Sequence, residues 1–145
     1  MPRKTITVVA LLVAVAALPA AGESATSQTY KGKAESLKDD FAYGPVTVKR
    51  RGSRVTRVKI AAVTATCPYG TTNRTIVFNP KDAGIRVLAG SNKIKSGKMS
   101  VTYLPDETVE DQKTTLKLKF KGSKVTGRFS ETDICVDEGK FSAKR

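Results

Sequence analysis

The chain has 145 residues, 26 Lys and Arg against 13 Asp and Glu, two cysteines, no histidine and no tryptophan. The missing histidine excludes Ser-His-Asp and Cys-His catalysis and histidine-ligated zinc, and no glycine-rich phosphate loop or dinucleotide fingerprint occurs. A formal charge of +13 points instead toward anionic partners.

Arg3 and Lys4 precede an uncharged apolar run from Ile6 to Leu18; Pro19 breaks it, and Ala20-Ala21-Gly22 supplies the small residues of a signal-peptidase site. The run is too short to cross a bilayer, which takes about 20 residues, and no cysteine follows it to carry a lipid anchor. The expected organisation is a signal peptide over 1–22, cleaved before Glu23, then a flexible lead-in over 23–29 and one β domain over 30–145. The mature chain would be exported, free of transmembrane segments and monomeric. It keeps 24 basic and 13 acidic residues, a net charge of +11.

From Tyr30 onward the dominant period is two. Val46-Thr47-Val48-Lys49, the turn Arg51-Gly52-Ser53 and Val58-Lys59-Ile60-Ala61-Ala62 predict a hairpin. A second is expected at Ser96-Gly97, between Lys93-Ile94-Lys95 and Met99–Tyr103. The clearest alternation is Leu116, Leu118 and Phe120 against Lys117, Lys119 and Lys121. After Gly122-Ser123 it resumes with Val125 and Phe129 inward and Lys124, Thr126 and Arg128 outward. Ile76 with Phe78, Ile85 with Val87, and Phe141 with Ala143 mark further short strands. Only Ala34–Phe41 offers a helical turn, with Leu37 and Phe41 four apart, although Asp39-Asp40 suit a plain turn equally well. The fold class is therefore all-β, an antiparallel meander of about 8–10 short strands closing into a barrel or sandwich.

Cys67 and Cys135 are an even count in a chain expected to be exported, which reads as one disulfide; two free thiols and an intermolecular bridge are the alternatives. Gly52-Ser53-Arg54-Val55-Thr56 matches Gly122-Ser123-Lys124-Val125-Thr126, and a cysteine follows each at a similar distance. That similarity favours pairing, which would close a loop of about 69 residues and contribute roughly 4 kcal/mol.

Lys117, Lys119 and Lys121 would share one face at intervals of roughly 7 Å, with Lys124 and Arg128 beside them and Lys49, Arg57 and Lys59 repeating the arrangement on the other hairpin. Such a ladder fits an anionic polymer or envelope surface. A solvated face that discourages edge pairing explains the same pattern. Lys outnumbers Arg 16 to 8 in the mature chain, favouring diffuse attraction over bidentate recognition. No aromatic interleaves to stack nucleic-acid bases.

Three other features carry weaker signals. Asp106, Glu107, Glu110 and Asp111 offer oxygen ligands for calcium but match no recognised loop; these residues, and Asp133, Asp137 and Glu138 around Cys135, fit solvated turns. The Cys67–Arg74 loop, with Tyr69 and Arg74, has the composition of a recognition loop, such as an inhibitor of a secreted enzyme presents. Ala61, Ala62, Val63 and Ala65 are small enough to line a barrel cavity for an apolar ligand. No enzyme activity, metal or cofactor is expected.

Four motifs carry a family resemblance: Tyr30-Lys31-Gly32, Thr64-Ala65-Thr66-Cys67, the hairpin from Gly122 to Phe129, and Cys135 followed by Gly139-Lys140-Phe141 and Ala143. In these the chain resembles uncharacterised secreted single-disulfide all-β proteins of actinobacteria. The resemblance spans most of the mature chain and implies export and a one-disulfide β fold. It brings no activity, and the acidic Pro105–Asp111 stretch and strong basic charge set this chain apart.

Overall fold

Alternation decides the architecture. Leu116 and Leu118 are buried while Lys117 and Lys119 are exposed, and the same in-out pattern recurs in strand after strand. The computed structural model describes residues 25–38, 42–106, 108, 111–132, 135 and 137–145; the expected signal peptide over 1–22 lies outside them. Nine antiparallel strands form a strongly curled half-barrel, with no helix among the described residues. They are β1 (Ser27–Ser36), β2 (Ala42–Arg51), β3 (Arg54–Cys67), β4 (Gly70–Phe78), β5 (Arg86–Gly90), β6 (Lys98–Leu104), β7 (Lys113–Lys121), β8 (Lys124–Thr132) and β9 (Asp137–Lys144). The order across the sheet is β4-β3-β2-β1-β9-β8-β7-β6-β5. Pairing follows chain order within β1–β4 and within β5–β9, leaving β4 and β5 as the two edges, and the halves join at the β1–β9 seam, where Lys31 opposes Lys144 and Ala34 opposes Phe141.

The interior face of the sheet is filled by side chains. Tyr30, Tyr103, Phe78, Ile60 and Leu116 are fully buried, and the rings of Phe78 and Tyr103 meet at 5.0 Å between β4 and β6, which are far apart in the sheet order. The tight curl is made possible at mid-sheet by a reciprocal pair of contacts. Gly127 opposes Phe141 and Phe129 opposes Gly139; each ring lies over its glycine, where an added Cβ would overlap it. Aromatic cover of a strand glycine restores packing that the missing side chain would forfeit.

Both ends of the half-barrel are strapped across its opening. At one end the segment after β5 reaches the β2–β3 turn: Val55 N donates to the Asn92 carbonyl (2.9 Å), Asn92 Nδ2 to the Val55 carbonyl (3.0 Å) and Ile94 N to the Ser53 carbonyl (2.7 Å). At the other, Cys67 at the end of β3 is disulfide-bonded to Cys135 between β8 and β9. The Gly52-Ser53 and Gly122-Ser123 turns are equivalent, with glycine φ values of 56° and 57°, as two-residue hairpins with glycine first require. Val55 and Val125 are both fully buried after them.

Four details depart from the sequence expectations. β1 begins at Ser27, inside the stretch expected as lead-in, because Ser27, Gln28 and Thr29 pair with Arg51, Arg50 and Lys49. Ala34–Ser36 continues that strand instead of starting a helical turn; Asp39, Asp40 and Phe41 lie outside the described residues. Ser96 and Gly97 do form a tight turn, both at positive φ, but Lys93–Lys95 makes only isolated bridges, and β6 pairs with β5 and β7. A bulge between Ile60 and Val63, with Ala62 at φ 49°, shifts the alternation. Only Val63 and Ala65 of the small-residue run therefore face the interior, packed into the core, while Ala62 is exposed.

Candidate functional site

The outward positions of the central strands form a grid of cations. Lys117, Arg128 and Lys140 are directly opposed across β7, β8 and β9, and Lys98 opposes Lys119 across β6 and β7. Neighbouring strands lie about 4.8 Å apart and alternate residues along a strand about 7 Å apart, which sets the mesh of this grid. It borders an open trough of about 1190 Å³. Across the sheet the lining runs from Gly90, Ser91, Lys93 and Lys95 through the central strands to Lys33 and Glu35 on β1. Among the described residues eight cations line it (Lys33, Lys93, Lys95, Lys98, Lys117, Lys119, Arg128 and Lys140) against one carboxylate, Glu35.

Glu35 sits 3.2 Å from Lys140 Nζ, both side chains more than half exposed. Water screening keeps such a pair weak. The cation–cation pairs opposed across these strands are repulsive. Besides those named, Lys121, Lys124, Lys144 and Lys31 form one row across β7, β8, β9 and β1. Like charges directly opposed on neighbouring strands are destabilising, so the sheet carries this face against its own stability.

Of the cations singled out in the sequence, the trough gathers Lys117, Lys119 and Arg128. Lys121 and Lys124 lie on the same face in the row nearest the turn, outside its lining. Lys49, Arg57 and Lys59 are exposed on β2 and β3, with Lys49 opposite Arg57, and are also outside it. Alternation alone could have found Lys98, in Lys98-Met99-Ser100-Val101. Lys140 joins through the β8–β9 pairing, and Lys33 only through the β1–β9 seam.

A second charged cluster is interior. Glu131 and Asp137 are cross-strand partners at the disulfide end and are only 3% and 2% exposed. Arg74 on β4 bridges them, with Nη1 3.3 Å from Glu131 Oε2 and Nε 3.2 Å from Asp137 Oδ2. Its Nη2 donates to the Cys135 carbonyl at 3.2 Å. Gln112 Nε2 donates to Glu131 Oε1 at 2.8 Å, and Thr114 Oγ1 to the same oxygen at 3.4 Å. Burial pushes the Asp137 carboxyl above the ordinary carboxylate value; Arg74 opposes the shift, and the neighbouring Glu131 adds to it. Burial, followed by the charge of Glu131, also raises the Tyr103 phenol, whose OH donates to the Val77 carbonyl at 3.0 Å.

Two expectations are corrected here. Asp137 does not sit in a solvated turn but in the interior, because β9 begins with it and turns it onto Arg74; Asp133 lies outside the described residues. The Cys67–Arg74 segment is mostly strand and not one loop: β3 runs to Cys67 and β4 starts at Gly70, so only Pro68 and Tyr69 make the turn and Arg74 serves the interior. Tyr69 at that tip is completely exposed. Asp106 Oδ1 accepts from Thr108 N (2.9 Å) and Oγ1 (2.6 Å), and these bonds hold its carboxyl below the ordinary range; Glu107 and Glu110 lie outside the described residues. Among the described residues no group of three or more His, Cys, Asp and Glu is placed to hold a metal ion, and no helix is long and apolar enough to cross a membrane.

No family model, curated protein or solved structure matches the chain.

Proposed function

We propose that the chain is an exported, non-enzymatic β domain that holds an anionic polymer on the lysine-bearing face of its sheet. The observation that carries this reading is the trough, with eight cations against one carboxylate among the described residues. A solvated face needs no concavity, and cross-strand repulsion would be relieved by scattering the lysines; an anionic ligand neutralises it in place. Export is supported by the signal-peptide pattern of residues 1–22, by a disulfide that persists in oxidising compartments, and by the motif resemblance to secreted actinobacterial proteins. Cleavage before Glu23 would leave β1 whole, including the Arg51 Nε bond to the Ala25 carbonyl at 3.0 Å.

The test is the salt dependence of polyanion binding. Titrated with heparin as a generic polyanion, the protein should lose affinity linearly in log–log form as salt rises, with a slope of several released ions, because displaced counterions drive association. Absence of binding to any polyanion at about 0.15 M salt, where exposed charges are screened within about 8 Å, would overturn the reading.

A further inference from the structure

Among the described residues, three tight turns at the end of the half-barrel away from the disulfide share one pattern. Arg51-Gly52-Ser53-Arg54, Lys95-Ser96-Gly97-Lys98 and Lys121-Gly122-Ser123-Lys124 each set a glycine and a serine between two cations. In every case those cations form the closing pair: Arg51 faces Arg54, Lys121 faces Lys124, and Lys95 and Lys98 exchange backbone hydrogen bonds of 2.8 and 2.9 Å. All six are exposed. Like charges opposed across a strand pair are destabilising, whereas a cation facing a carboxylate would stabilise the same turn and keep it as well solvated. Neither folding nor solubility therefore accounts for the arrangement occurring three times. Among the described residues the ion pairs use Arg74 and Lys140 as their cations, so none of the six is neutralised.

The turns are joined around this end. The strap after β5 ties Ile94 N to the Ser53 carbonyl and sets Lys93 opposite Arg54, and Phe120 N donates to the Gly97 carbonyl at 2.7 Å. Arg145 N donates to the Ser123 carbonyl at 2.9 Å, and Lys144 opposes Lys124, so the last two residues add their charge to the third turn. Carboxylates stand at the other end, with Asp106 and Asp111 in the β6–β7 connection and Glu138 at the start of β9. The exposed large apolar side chains, Leu37, Tyr69, Val87 and Leu88, all lie outside the three turns. The end thus spreads cations in two dimensions and offers nothing apolar to insert. A flat anionic surface meets all three turns at once, whereas a linear chain follows one row of cations.

We propose that this end docks the protein on an anionic lipid bilayer, so that the molecule stands on its three turns with the disulfide end turned away. Attachment is peripheral and electrostatic: each Lys or Arg near an anionic headgroup layer adds to the attraction, which fades within a Debye length. The site goes beyond the trough, with which it shares Lys95 and Lys98; the other two turns separate them.

The test is cosedimentation with phosphatidylcholine vesicles, with or without about one third phosphatidylglycerol, at about 0.1 M salt. The protein should bind the mixed vesicles, leave the neutral ones, and be released as salt rises. The turn variant R51Q/R54Q/K121Q/K124Q should lose about tenfold or more in affinity for the mixed vesicles. Its melting temperature should stay level or rise, because two opposed like-charge pairs are gone. The trough variant K33Q/K117Q/R128Q/K140Q removes equal charge and should bind the vesicles within about threefold of the parent. Failure of the parent to bind mixed vesicles, equal weakening by the two variants, or attachment that persists in about 1 M salt would each overturn the inference. A turn variant that melts lower would overturn it too, since the cations would then serve the fold. So would a turn variant that loses heparin as steeply as vesicles, because the turns would then be a general polyanion site. Heparin binding that fails only in the trough variant, with no vesicle binding by the parent, leaves the trough reading standing; vesicle binding without heparin binding leaves the turns and overturns the trough.

Discussion

Glu131 and Asp137 face each other across β8 and β9 with both carboxylates turned into the interior, where one guanidinium, Arg74, serves them. Two adjacent buried acids would repel strongly without it. Because Arg74 stands on β4, at the far edge of the sheet order from β8 and β9, the cluster is also a strut across the opening of the half-barrel. The Cys67–Cys135 bond makes the same crossing beside it, and Arg74 ties to the Cys135 carbonyl.

Replacing Arg74 with Met keeps much of the side-chain volume but leaves both acids without their cation. Breaking a buried ion pair from one side costs about 3–5 kcal/mol, so the urea midpoint should fall sharply. The triple variant R74M/E131Q/D137N, which removes the charges together, should recover a large part of that loss. A single Arg74→Met variant as stable as the parent would show that the cluster contributes nothing.

The raised Asp137 and Tyr103 groups make stability depend on pH with a definite sign. Each binds its proton more tightly folded than unfolded, so each contribution is largest at low pH and declines as pH rises through its own window. For Asp137 the window opens at the ordinary value of 3.8 and extends upward; for Tyr103 it opens at 10.0. Many other groups titrate in acid, so the quantity to measure is the difference in unfolding free energy between the parent and Asp137→Asn. That difference should shift against the parent as pH rises from below 3.8 through the window. A flat or oppositely sloped difference would contradict the burial-driven shift. Above pH 10.0 the parent should lose stability faster than Tyr103→Phe.

Thiol labelling under denaturing, non-reducing conditions should find no free cysteine. Reduction should lower unfolding free energy by roughly 4 kcal/mol, the chain-entropy contribution of a loop this long. Two titratable thiols, or a reduced protein as stable as the oxidised one, would contradict the strap at that end.

Much of this architecture was legible in the sequence. The Leu116–Lys121 alternation, the two Gly-Ser turns and an even pair of cysteines in a chain with a signal-peptide pattern lead directly to β7, β8, their hairpin and the bond. What was hidden depends on long-range pairing or on breaks in the period. Lys33 enters the trough only because β1 closes onto β9, a pairing between the two ends of the domain that no local pattern encodes. The buried acids were hidden because carboxylates grouped around a cysteine suit a turn, and their partner Arg74 lies on a distant strand. The irregularity opposite Lys49 and Arg50 puts its extra residue on β3, where Val55 and Val58 are both buried, while β2 keeps its period. Arg50, on the same face of β2 as Val46 and Val48, stacks at 5.1 Å over the half-buried Phe120 and donates to Gln28 Oε1 at 2.8 Å, contacts with distant strands that no local pattern encodes.

The most direct measurement compares two triple variants that remove equal charge from different parts of one sheet. K117Q/K119Q/R128Q empties the middle of the trough, while K49Q/R57Q/K59Q takes the same charge from β2 and β3, outside its lining. Neither should unfold the protein, since exposed charges away from special contacts shift stability by only about 0.5 kcal/mol. Polyanion affinity measured across a salt series should drop about tenfold or more for the first triple, with its log–log salt slope reduced by about one for each cation removed. The second triple should stay close to the parent in both. Equal weakening by the two variants would mean that net charge alone attracts polyanions, and would contradict a binding site in the trough.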